Sequence, residues 1–330
     1  MKWYDIRDRI IPYGMTFNIT FGGRGIGKTY STLKYLAEEK IKFIYLRNQQ
    51  NEIDISCSDE CNPFKAVNVD IGSSYYFEKI SKDMCGIYDS DGLISGYAIA
   101  LNTFAKLRGV DFSDIDFIFF EEFNTSLRIN KKQGELLFNL YETVNRNREL
   151  KGKQPVTVLM VGNAVTIANP IMDSFGLIQD AEMMISTGKE VVVYEDRGIL
   201  LEITHATAKE IMEAKSKTAL YKAIVGSDYY KHSVDNQFVY DSFYNVGKRN
   251  LNEYRPLCVI NDISIMMHKF ENHIYCTKVM SGKFKNKYDK NTTSKFLKEY
   301  GLTLRVAYAD KNIFFDSYET KSHLLDILNI

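Results

Sequence analysis

The sequence predicts an α/β protein built on a mostly parallel sheet, followed by a smaller α/β domain. Three observations support this prediction. Short apolar runs alternate with helical patterns up to about His205. A glycine-rich turn separates the first apolar run from the first helical pattern. Near the C-terminus the pattern changes to closely spaced apolar runs, which is typical of a second, strand-rich domain.

The elements of the first domain follow in order. Strands are predicted at Met15–Phe21, Lys42–Leu46, Gly86–Tyr88, Ser95–Leu101, Ile115–Phe120, Val156–Val161 and Val191–Tyr194. Helical patterns cover Lys28–Lys40, Gly134–Arg148 and Lys209–Lys222. The turn Asp89-Ser90-Asp91-Gly92 separates two of the strands and predicts a hairpin.

The second domain is predicted from four apolar runs, which we interpret as strand-like: Pro256–Ile260, Ile263–Phe270, His273–Val279 and Leu302–Ala309. The patterns together divide the chain into a first domain at residues 1–207, a helical connector at 208–230 and a C-terminal domain at 231–330.

Composition narrows the class of protein. Lys and Arg together number 42, as do Asp and Glu, so a uniformly basic nucleic-acid coat protein is excluded and any DNA contact needs a local basic surface. Among the five Cys only Cys57 and Cys61 lie close together, and we identified no second pair or His pair at zinc spacing, so no zinc site is expected. The five Cys are expected to be reduced thiols of a cytoplasmic protein. No signal peptide or membrane-spanning run is expected.

A phosphate-binding loop is the first chemical signal. The residues that match the Walker A pattern GxxxxGK[ST] are Gly22, Gly23, Arg24, Gly25, Ile26, Gly27, Lys28 and Thr29. The glycines allow backbone N–H groups to surround phosphate oxygens, and the following helix adds its positive end. Lys28 would reach the β- and γ-phosphates of a nucleotide, and Thr29 would hold Mg²⁺.

Acidic residues follow the buried strand Ile115–Phe120, as in a Walker B arrangement. Glu121 would hold Mg²⁺, and Glu122 would orient and deprotonate the attacking water. An Asp is usual at the first position, so Glu121 is a departure. Asn163 follows the next strand; it is either a sensor of the γ-phosphate and attacking water or an ordinary turn residue.

Two arginines, Arg146 and Arg148, lie at the end of a helical pattern. Cations are favoured there by the helix dipole. The alternative is an arginine finger that stabilises the transition state in a neighbouring subunit.

These motifs resemble the φ29-type DNA-packaging ATPases of small tailed phages. The resemblance is carried, in order, by GGRGIGKT, FIYLRN, GYAIAL, IFFEEF, ETVNRNRE, VGNAVTIANP and SVDNQFVYDS. It implies an additional-strand P-loop ATPase that uses ATP and Mg²⁺ to move double-stranded DNA into a preformed phage head. It further implies a homomeric, pentameric ring in the host cytoplasm, seated transiently on the portal vertex of the prohead, with a scaffold RNA.

The resemblance also assigns residues. Arg146 matches a finger that acts in trans, and Arg108 falls at a basic position that acts across the subunit interface. Arg24 resembles a Walker A arginine of large terminases that acts in cis. The resemblance also implies that the C-terminal domain is RNase H-like. We expect it to lack nuclease activity, because its predicted strands contain no acid and Asp262 and Asp310 only flank strands.

A Lys-rich stretch in the C-terminal domain is a candidate for contact with DNA, RNA or the portal. It includes Lys278, Lys283, Lys285, Lys287, Lys290, Lys295 and Lys298. Phe284, Tyr288 and Phe296 are interleaved and would stack on bases. The alternative interpretation is a solvated surface loop.

Three other functions agree less well with the sequence. A ring DNA translocase of the conjugation or segregation type usually carries a membrane anchor or a winged-helix domain, and neither is visible. The pattern Asn286-Lys287-Tyr288-Asp289 matches the guanine-reading motif of GTP-dependent switches, but it lies far from the predicted sheet and we interpret it as chance. A passive nucleotide-binding assembly protein would lack the acid at Glu122.

Overall fold

The structure is a computed structural model of the chain. It describes residues 3–124, 130–204, 209–227, 230 and 243–330. Two compact units are present: the first comprises Met1–Leu177 and Met183–Tyr240, and the second comprises Ile178–Glu182 and Asp241–Ile330. The quoted motif at 233–242 lies outside the described residues.

A nine-stranded sheet forms the first unit, in the order β3-β4-β5-β2-β6-β7-β1-β9-β8. Its strands are β1 (Phe17–Gly22), β2 (Phe43–Arg47), β3 (Tyr76–Ser81), β4 (Met84–Tyr88), β5 (Ile94–Ala100), β6 (Phe117–Glu121), β7 (Thr157–Asn163), β8 (Val191–Tyr194) and β9 (Ile199–Ile203). The central strands from β5 to β9 pair in parallel, while β3, β4 and β8 pair antiparallel at the two sides. The predicted strands and hairpin are confirmed, while β3 and β9 were not predicted.

Helices cover the sheet. Those described up to residue 223 are α1 (Ile6–Arg9), α2 (Lys28–Glu38), α3 (Gln50–Ser56), α4 (Lys65–Ile71), α5 (Gln133–Asn145), α6 (Pro170–Phe175), α7 (Ile178–Thr187), α8 (Lys209–Ser216) and α9 (Ala219–Ala223). Helix α5 is shorter than predicted, because Arg146 and Asn147 both adopt left-handed backbone conformations and end it.

The core explains the strand pattern. Phe119 and Phe120 are neighbours on β6 and point to opposite faces, yet both are fully buried. A parallel strand covered by helices on both faces needs a continuous apolar run, which is what the sequence of β6 supplies. Each buried Phe stabilises the fold by about 1.5–3 kcal/mol relative to an exposed one.

A five-stranded sheet forms the second unit, in the order β13-β10-β11-β12-β14. Its strands are β10 (Tyr254–Ile260), β11 (Ile263–His268), β12 (Ile274–Thr277), β13 (Asn286–Tyr288) and β14 (Ile313–Phe315). Strands β10, β11 and β12 form an antiparallel meander, and β13 and β14 add in parallel to β10 and β12. The described helices are α10 (Thr293–Phe296), α11 (Leu302–Ala309) and α12 (Tyr318–Leu328).

The predicted strand at Leu302–Ala309 is wrong, because these residues form helix α11. Its apolar residues alternate with others over the first positions, which imitates a strand. In the structure Leu304 is buried in the core of this unit, and Tyr308, four residues on, packs partly against the same core. That spacing brings two side chains onto one helical face.

The prediction of five reduced thiols is wrong for two of them. Cys57, directly after α3, is bonded to Cys85 on β4, with Cα atoms 6.8 Å apart. The pair is 28 residues apart in sequence, so local spacing gave no signal for it. Cys61 is free and exposed, and Cys258 and Cys276 are free and buried. Within the described residues, no helix is long and apolar enough to cross a membrane.

Candidate active site

The glycine-rich turn links β1 to α2 and has the backbone that a phosphate loop needs. Gly25 and Gly27 have φ values of +69° and +102°, which are strained for any residue with a side chain. Lys28 is the first residue of α2, so the loop leads directly into the positive end of a helix. This arrangement favours an anion at the loop.

Lys28 is buried, and its ammonium group is folded back onto the loop. Its Nζ donates to the carbonyl oxygens of Gly22 and Gly23 at 3.0 and 2.8 Å. Burial lowers the pKa of Lys28 to about 7, although the buried carboxylate of Glu202 opposes this shift. An anionic ligand at the loop would restore the charge of this lysine.

Four parallel strands end beside one another around this loop. Strands β2, β6, β7 and β1 are consecutive in the sheet, and Gly22 at the end of β1 lies opposite Asn163 at the end of β7. Because parallel strands share a direction, their carboxyl ends meet at one edge of the sheet, where ligands of such sheets bind. We call this the carboxyl edge.

The two predicted acids lie at the carboxyl edge beside the loop. Glu121 ends β6, and its Oε1 accepts a hydrogen bond of 2.5 Å from the hydroxyl of Thr29. The Tyr45 hydroxyl donates to the other oxygen of Glu121. Glu122 has a φ of +50°, an uncommon conformation for a residue other than glycine. Such strain occurs often at functional sites.

Arg47, at the end of β2, bridges the two acids. Its guanidinium donates to Glu121 at 2.9 Å and to Glu122 at 2.8 Å. Glu52 on α3 lies 3.6 Å from the same group. Arg47 was not predicted as a site residue, although a cation directly after a buried strand of a parallel sheet was an available signal.

The site is an open pocket of about 720 Å³. It is lined by Trp3, Arg24, Gly25, Gly27, Lys28, Thr29, Tyr30, Asp70, Glu121, Glu122, Val161, Gly162 and Asn163. Its volume lies within the range of small-molecule sites. The Arg24 guanidinium is half exposed and 3.7 Å from Glu122. Asn163 also lines the pocket, and its backbone carbonyl accepts from the side-chain amide of Asn124 at 3.3 Å.

A buried ion pair is connected to the phosphate loop through Tyr4. Glu202 on β9 is fully buried and accepts from the Tyr4 hydroxyl at 2.7 Å and from Arg9 at 2.6 Å. The Tyr4 backbone N–H also donates to the Ile26 carbonyl of the loop. Burial raises the pKa of Glu202. An acid inside the apolar run of β9 was a signal in the sequence, but Glu202 was not predicted.

Helix α8 also reaches the loop. The Lys215 ammonium donates to the carbonyl of Arg24 and lies 5.0 Å from the Tyr221 ring. It is a second cation beside the phosphate loop, contributed by the segment predicted only as a connector.

Two predicted arginines lie away from the pocket, at the amino ends of the strands. The Arg146 guanidinium pairs with Asp111 at 2.9 Å and donates to the Val110 carbonyl at 3.1 Å. Arg148 pairs with Asp116 at 2.8 Å and donates to the Ser113 carbonyl at 2.9 Å. The Arg148 side chain is mostly buried and that of Arg146 is 43% exposed.

Arg108 is exposed and directly follows the short 3₁₀ helix Leu101–Leu107. It lies two residues before Val110, whose carbonyl binds Arg146. The structure therefore brings two of the residues assigned to a subunit interface onto one stretch of surface.

In the Lys-rich stretch most lysines are exposed, but Lys278 is partly buried and pairs with Glu319 at 2.6 Å, and the interleaved aromatic residues are buried. Lys283, Lys285 and Lys287 are exposed. Phe284, Tyr288 and Phe296 are buried, so the expectation that these rings stack on bases is wrong. The physical reason is tertiary packing: Phe284 packs in one apolar cluster with Tyr254 and Met266, and Tyr288 packs in another with Phe296.

The guanine-reading match is not a nucleotide site. Asn286, Lys287 and Tyr288 form strand β13, and the Asn286 amide donates to the Tyr300 hydroxyl at 2.7 Å. The Asp289 carboxylate accepts from the Thr292 hydroxyl at 2.7 Å, as in an ordinary turn.

Sequence comparisons give relatives among phage proteins. The DNA packaging protein of Bacillus phage B103 is 29% identical over 253 residues, which cover 74% of this chain and 70% of that protein. The DNA packaging protein of Bacillus phage phi29 is 29% identical over 250 residues, which cover 73% and 68% of the two chains.

Solved structures share the fold. A chain of the bacteriophage Phi-29 viral genome packaging motor assembly matches with a TM-score of 0.67 and 20% identity, covering 99% of this chain and 98% of that one. The Phi-28 gp11 DNA packaging motor matches with a TM-score of 0.65 and 17% identity over the same shares of the chains.

The family described as Podovirus DNA encapsidation protein (Gp16) matches residues 2–300. This match covers most of the chain and includes the phosphate loop, both acids, Arg108 and Arg146. The chain therefore belongs to the Podovirus DNA encapsidation protein (Gp16) family, and its function is that of a viral DNA-packaging ATPase.

Proposed function

We propose that the pocket at the carboxyl edge hydrolyses ATP with Mg²⁺, and that hydrolysis drives double-stranded DNA into a preformed phage head. The observation that carries the proposal is the meeting of Lys28, Thr29, Glu121 and Glu122 in one pocket at the end of four parallel strands. Family membership favours packaging over a conjugation or segregation translocase and over a GTP-dependent switch.

The donor set fits Mg²⁺. The Thr29 hydroxyl and a Glu121 oxygen are 2.5 Å apart, and oxygen donors are the ligands this ion prefers. Thr29 and Glu121 would hold the ion, which neutralises charge on the phosphates when bound. The longer side chain of Glu121, relative to the usual Asp, is fixed by Tyr45 and Arg47.

Glu122 is the proposed general base. Its carboxylate is directed into the pocket beside Arg24, and it accepts from Arg47. To act as a base it must receive the proton of the attacking water while that water forms its bond to the γ-phosphorus. Asn163, which lines the same pocket, would orient that water through its side-chain amide.

Arg146 is the proposed finger, acting in a neighbouring subunit. Helix α5 ends at Asn145, whose side chain accepts the backbone N–H of Val156, immediately before β7 begins. Arg146 therefore lies near the amino end of β7, whereas the pocket lies at its carboxyl end. The length of β7 is about 20 Å, which is beyond the reach of an arginine side chain. This separation supports action in trans over action in cis.

A ring follows from this arrangement. A neighbour's Arg146 and Arg108 would approach the pocket of each subunit, so that the assembly is homomeric and cyclic, and we propose a pentamer. The proposed partners are double-stranded DNA, the portal and a scaffold RNA. The assembly would act in the host cytoplasm, at the portal vertex of the prohead. Lys283, Lys285 and Lys287 would contact nucleic-acid phosphates.

The second unit is proposed to be a nuclease-like domain without nuclease activity. None of the strands β10 to β14 contains an Asp or Glu, whereas a two-metal nuclease needs converging carboxylates. Asp262 lies in the turn after β10, where it is 3.5 Å from Lys278. Incubation of plasmid with the protein and Mn²⁺ should leave it uncut; nicking that disappears in Asp262→Asn or Asp310→Asn would overturn this part.

The experiment that tests the function is ATP turnover by the purified chain with and without double-stranded DNA, followed by packaging into empty heads. Turnover that rises with DNA, and DNA that becomes protected from added nuclease only with ATP, are expected. ATP binding without turnover under all these conditions would support a passive assembly role instead.

A further inference from the structure

A cluster of two histidines and one glutamate lies at the tip of the β11–β12 hairpin, in the second unit. His268 ends β11 and pairs through its backbone N–H with the carbonyl of His273, which directly precedes β12. The two imidazole rings stack with centroids 4.5 Å apart. His268, Glu271 and His273 each offer a ligand atom, and these atoms lie within 4.8 Å of one another.

From this cluster we infer that the β11–β12 hairpin binds a divalent transition-metal ion of the Zn²⁺ class through His268, Glu271 and His273. The expectation from the sequence that no His pair lies at zinc spacing is wrong, because the four residues between His268 and His273 fall within the range of zinc ligands. Two imidazoles and one carboxylate are a donor set that suits Zn²⁺.

Hydrogen bonds already orient both rings for this role. The Nε2 atom of His273 is 2.8 Å from the Tyr254 hydroxyl, and its Nδ1 is 3.1 Å from the Glu271 carboxylate. With its proton on Nδ1, the His273 ring donates to that carboxylate and accepts the Tyr254 hydroxyl at Nε2. A metal ion bound at Nδ1 would replace this proton, and Nε2 would then donate to the Tyr254 oxygen.

Hydrogen bonding also orients His268. Its Nδ1 accepts the backbone N–H of Glu271 at 2.9 Å, so the ring proton lies on Nε2, which is 3.9 Å from the Glu253 carboxylate. Both Nδ1 atoms therefore lie beside Glu271, that of His268 at its backbone N–H and that of His273 at its carboxylate. On the outer side, the Nε2 of His273 contacts the Tyr254 hydroxyl and that of His268 lies near the Glu253 carboxylate. Outer carboxylate and hydroxyl partners of this kind fix the tautomer and orientation of metal-binding histidines.

Metal binding requires only a small movement of the three ligand atoms. Ligand atoms around a tetrahedral Zn²⁺ lie about 3.3 Å apart, given bonds of about 2.0–2.1 Å. The ligand atoms, now within 4.8 Å of one another, would come closer by rotation of the Glu271 side chain, which is 68% exposed. The Nδ1 of His268 would bind the ion in place of the Glu271 backbone N–H. The fourth position is left to water.

The test uses the tag-free full chain, with Cys61→Ser to remove the exposed thiol, and Zn²⁺ alone as the probe. Equilibrium dialysis should give one Zn²⁺ per chain, and Co²⁺ should give a visible spectrum without the charge-transfer band of a thiolate ligand. His273→Gln, His268→Gln and Glu271→Gln should each weaken binding by at least about tenfold. Tyr254→Phe, which keeps every ligand, should weaken it by about 10- to 100-fold.

His323→Gln is the matched control, because it removes a histidine of helix α12 and leaves the hairpin intact. Its affinity should equal that of the parent chain. Glu271→Gln is expected to fold normally, because this side chain is mostly exposed, so its Zn²⁺ affinity can be measured. The inference is overturned if the parent chain binds no stoichiometric Zn²⁺, if the hairpin variants bind normally, or if only His323→Gln loses the ion.

Discussion

The two edges of the nine-stranded sheet hold arginines in different ways. At the carboxyl edge Arg47 is mostly buried and contacts Glu121 and Glu122, so its charge is satisfied within the chain. At the opposite edge Arg146 contacts Asp111, which is 69% exposed. An ion pair in water is weak and exchanges readily, whereas a buried bridge does not. The proposed role of Arg146 in a neighbouring subunit requires a side chain that can leave its partner, and the exposed pair with Asp111 meets this requirement whereas the buried Arg47 bridge does not.

The largest expected effect is on ATP turnover and concerns Glu122 at the carboxyl edge. Glu122→Gln keeps the shape of the side chain and removes the proton acceptor, so turnover should fall by about 10²–10⁴-fold. Binding of ATP should be retained, as measured by a fluorescent analogue. Glu52→Gln is the control, because Glu52 also lies near Arg47 but does not line the pocket. Equal loss in both variants would assign the effect to the Arg47 contacts.

A second prediction compares the stability contributed by the two arginines. Arg47→Ala leaves the carboxylates at the end of β6 without their buried partner and should lower the free energy of unfolding by about 2–3 kcal/mol. Arg146→Ala should leave the urea midpoint close to that of the wild type, since its partner is exposed. Similar midpoints for both variants would remove the distinction between the edges.

The third prediction concerns pH. The pKa of Lys28 is lowered by burial to about 7, from 10.5. Above pH 7 the folded chain therefore binds fewer protons here than the unfolded chain does, and this group makes stability rise with pH up to about 10.5. A bound triphosphate favours the charged lysine, so ATP binding takes up a proton and should weaken by up to about tenfold per pH unit above 7.

Calorimetry in two buffers of different ionisation enthalpy measures this proton uptake. Lys28→Arg is the control, because arginine stays charged throughout the range. An affinity independent of pH in the wild type, or the same slope in Lys28→Arg, would contradict the prediction.

The smallest expected effect lies in the second unit. Changing Lys283, Lys285 and Lys287 together to Gln should weaken DNA binding. The slope of log affinity against log salt concentration should become shallower by about 0.9 for each phosphate that the variant no longer neutralises. Basal ATP turnover should not change. Lys79→Gln, another exposed lysine, is the control for general charge loss. An unchanged salt slope would contradict the proposed phosphate contacts and favour the interpretation of this stretch as a solvated surface loop.

Much of this architecture was predictable from sequence, for a physical reason. The strands β1, β6 and β7 are continuous apolar runs, so their ends can be read from the sequence. The glycine pattern before Lys28 identifies the phosphate loop. Together these features place the loop and the two acids at the carboxyl edge of the sheet. Arg47 and Glu202 each carried a local signal, a cation after a buried strand and an acid inside an apolar run, but their partners depend on which strands are neighbours, and that order is not local in sequence. The Cys57–Cys85 pairing was missed for the same reason.

The C-terminal unit was less predictable. Helix α11 imitates a strand by alternation, and the aromatic residues between the lysines were interpreted as exposed although Phe284 and Tyr288 face the core. In both cases the side-chain period was visible, but the buried face is decided by tertiary packing.

The most direct test of a shared site is complementation between Glu122→Gln and Arg146→Ala. Arg146→Ala alone should lose about 10³-fold or more in turnover with little change in ATP affinity. In mixed rings, an Arg146→Ala subunit has an intact Glu122 and can border a Glu122→Gln subunit with an intact Arg146. The account predicts that mixing restores turnover; no recovery in preparations shown to form mixed rings would contradict it and transfer the finger role to Arg24.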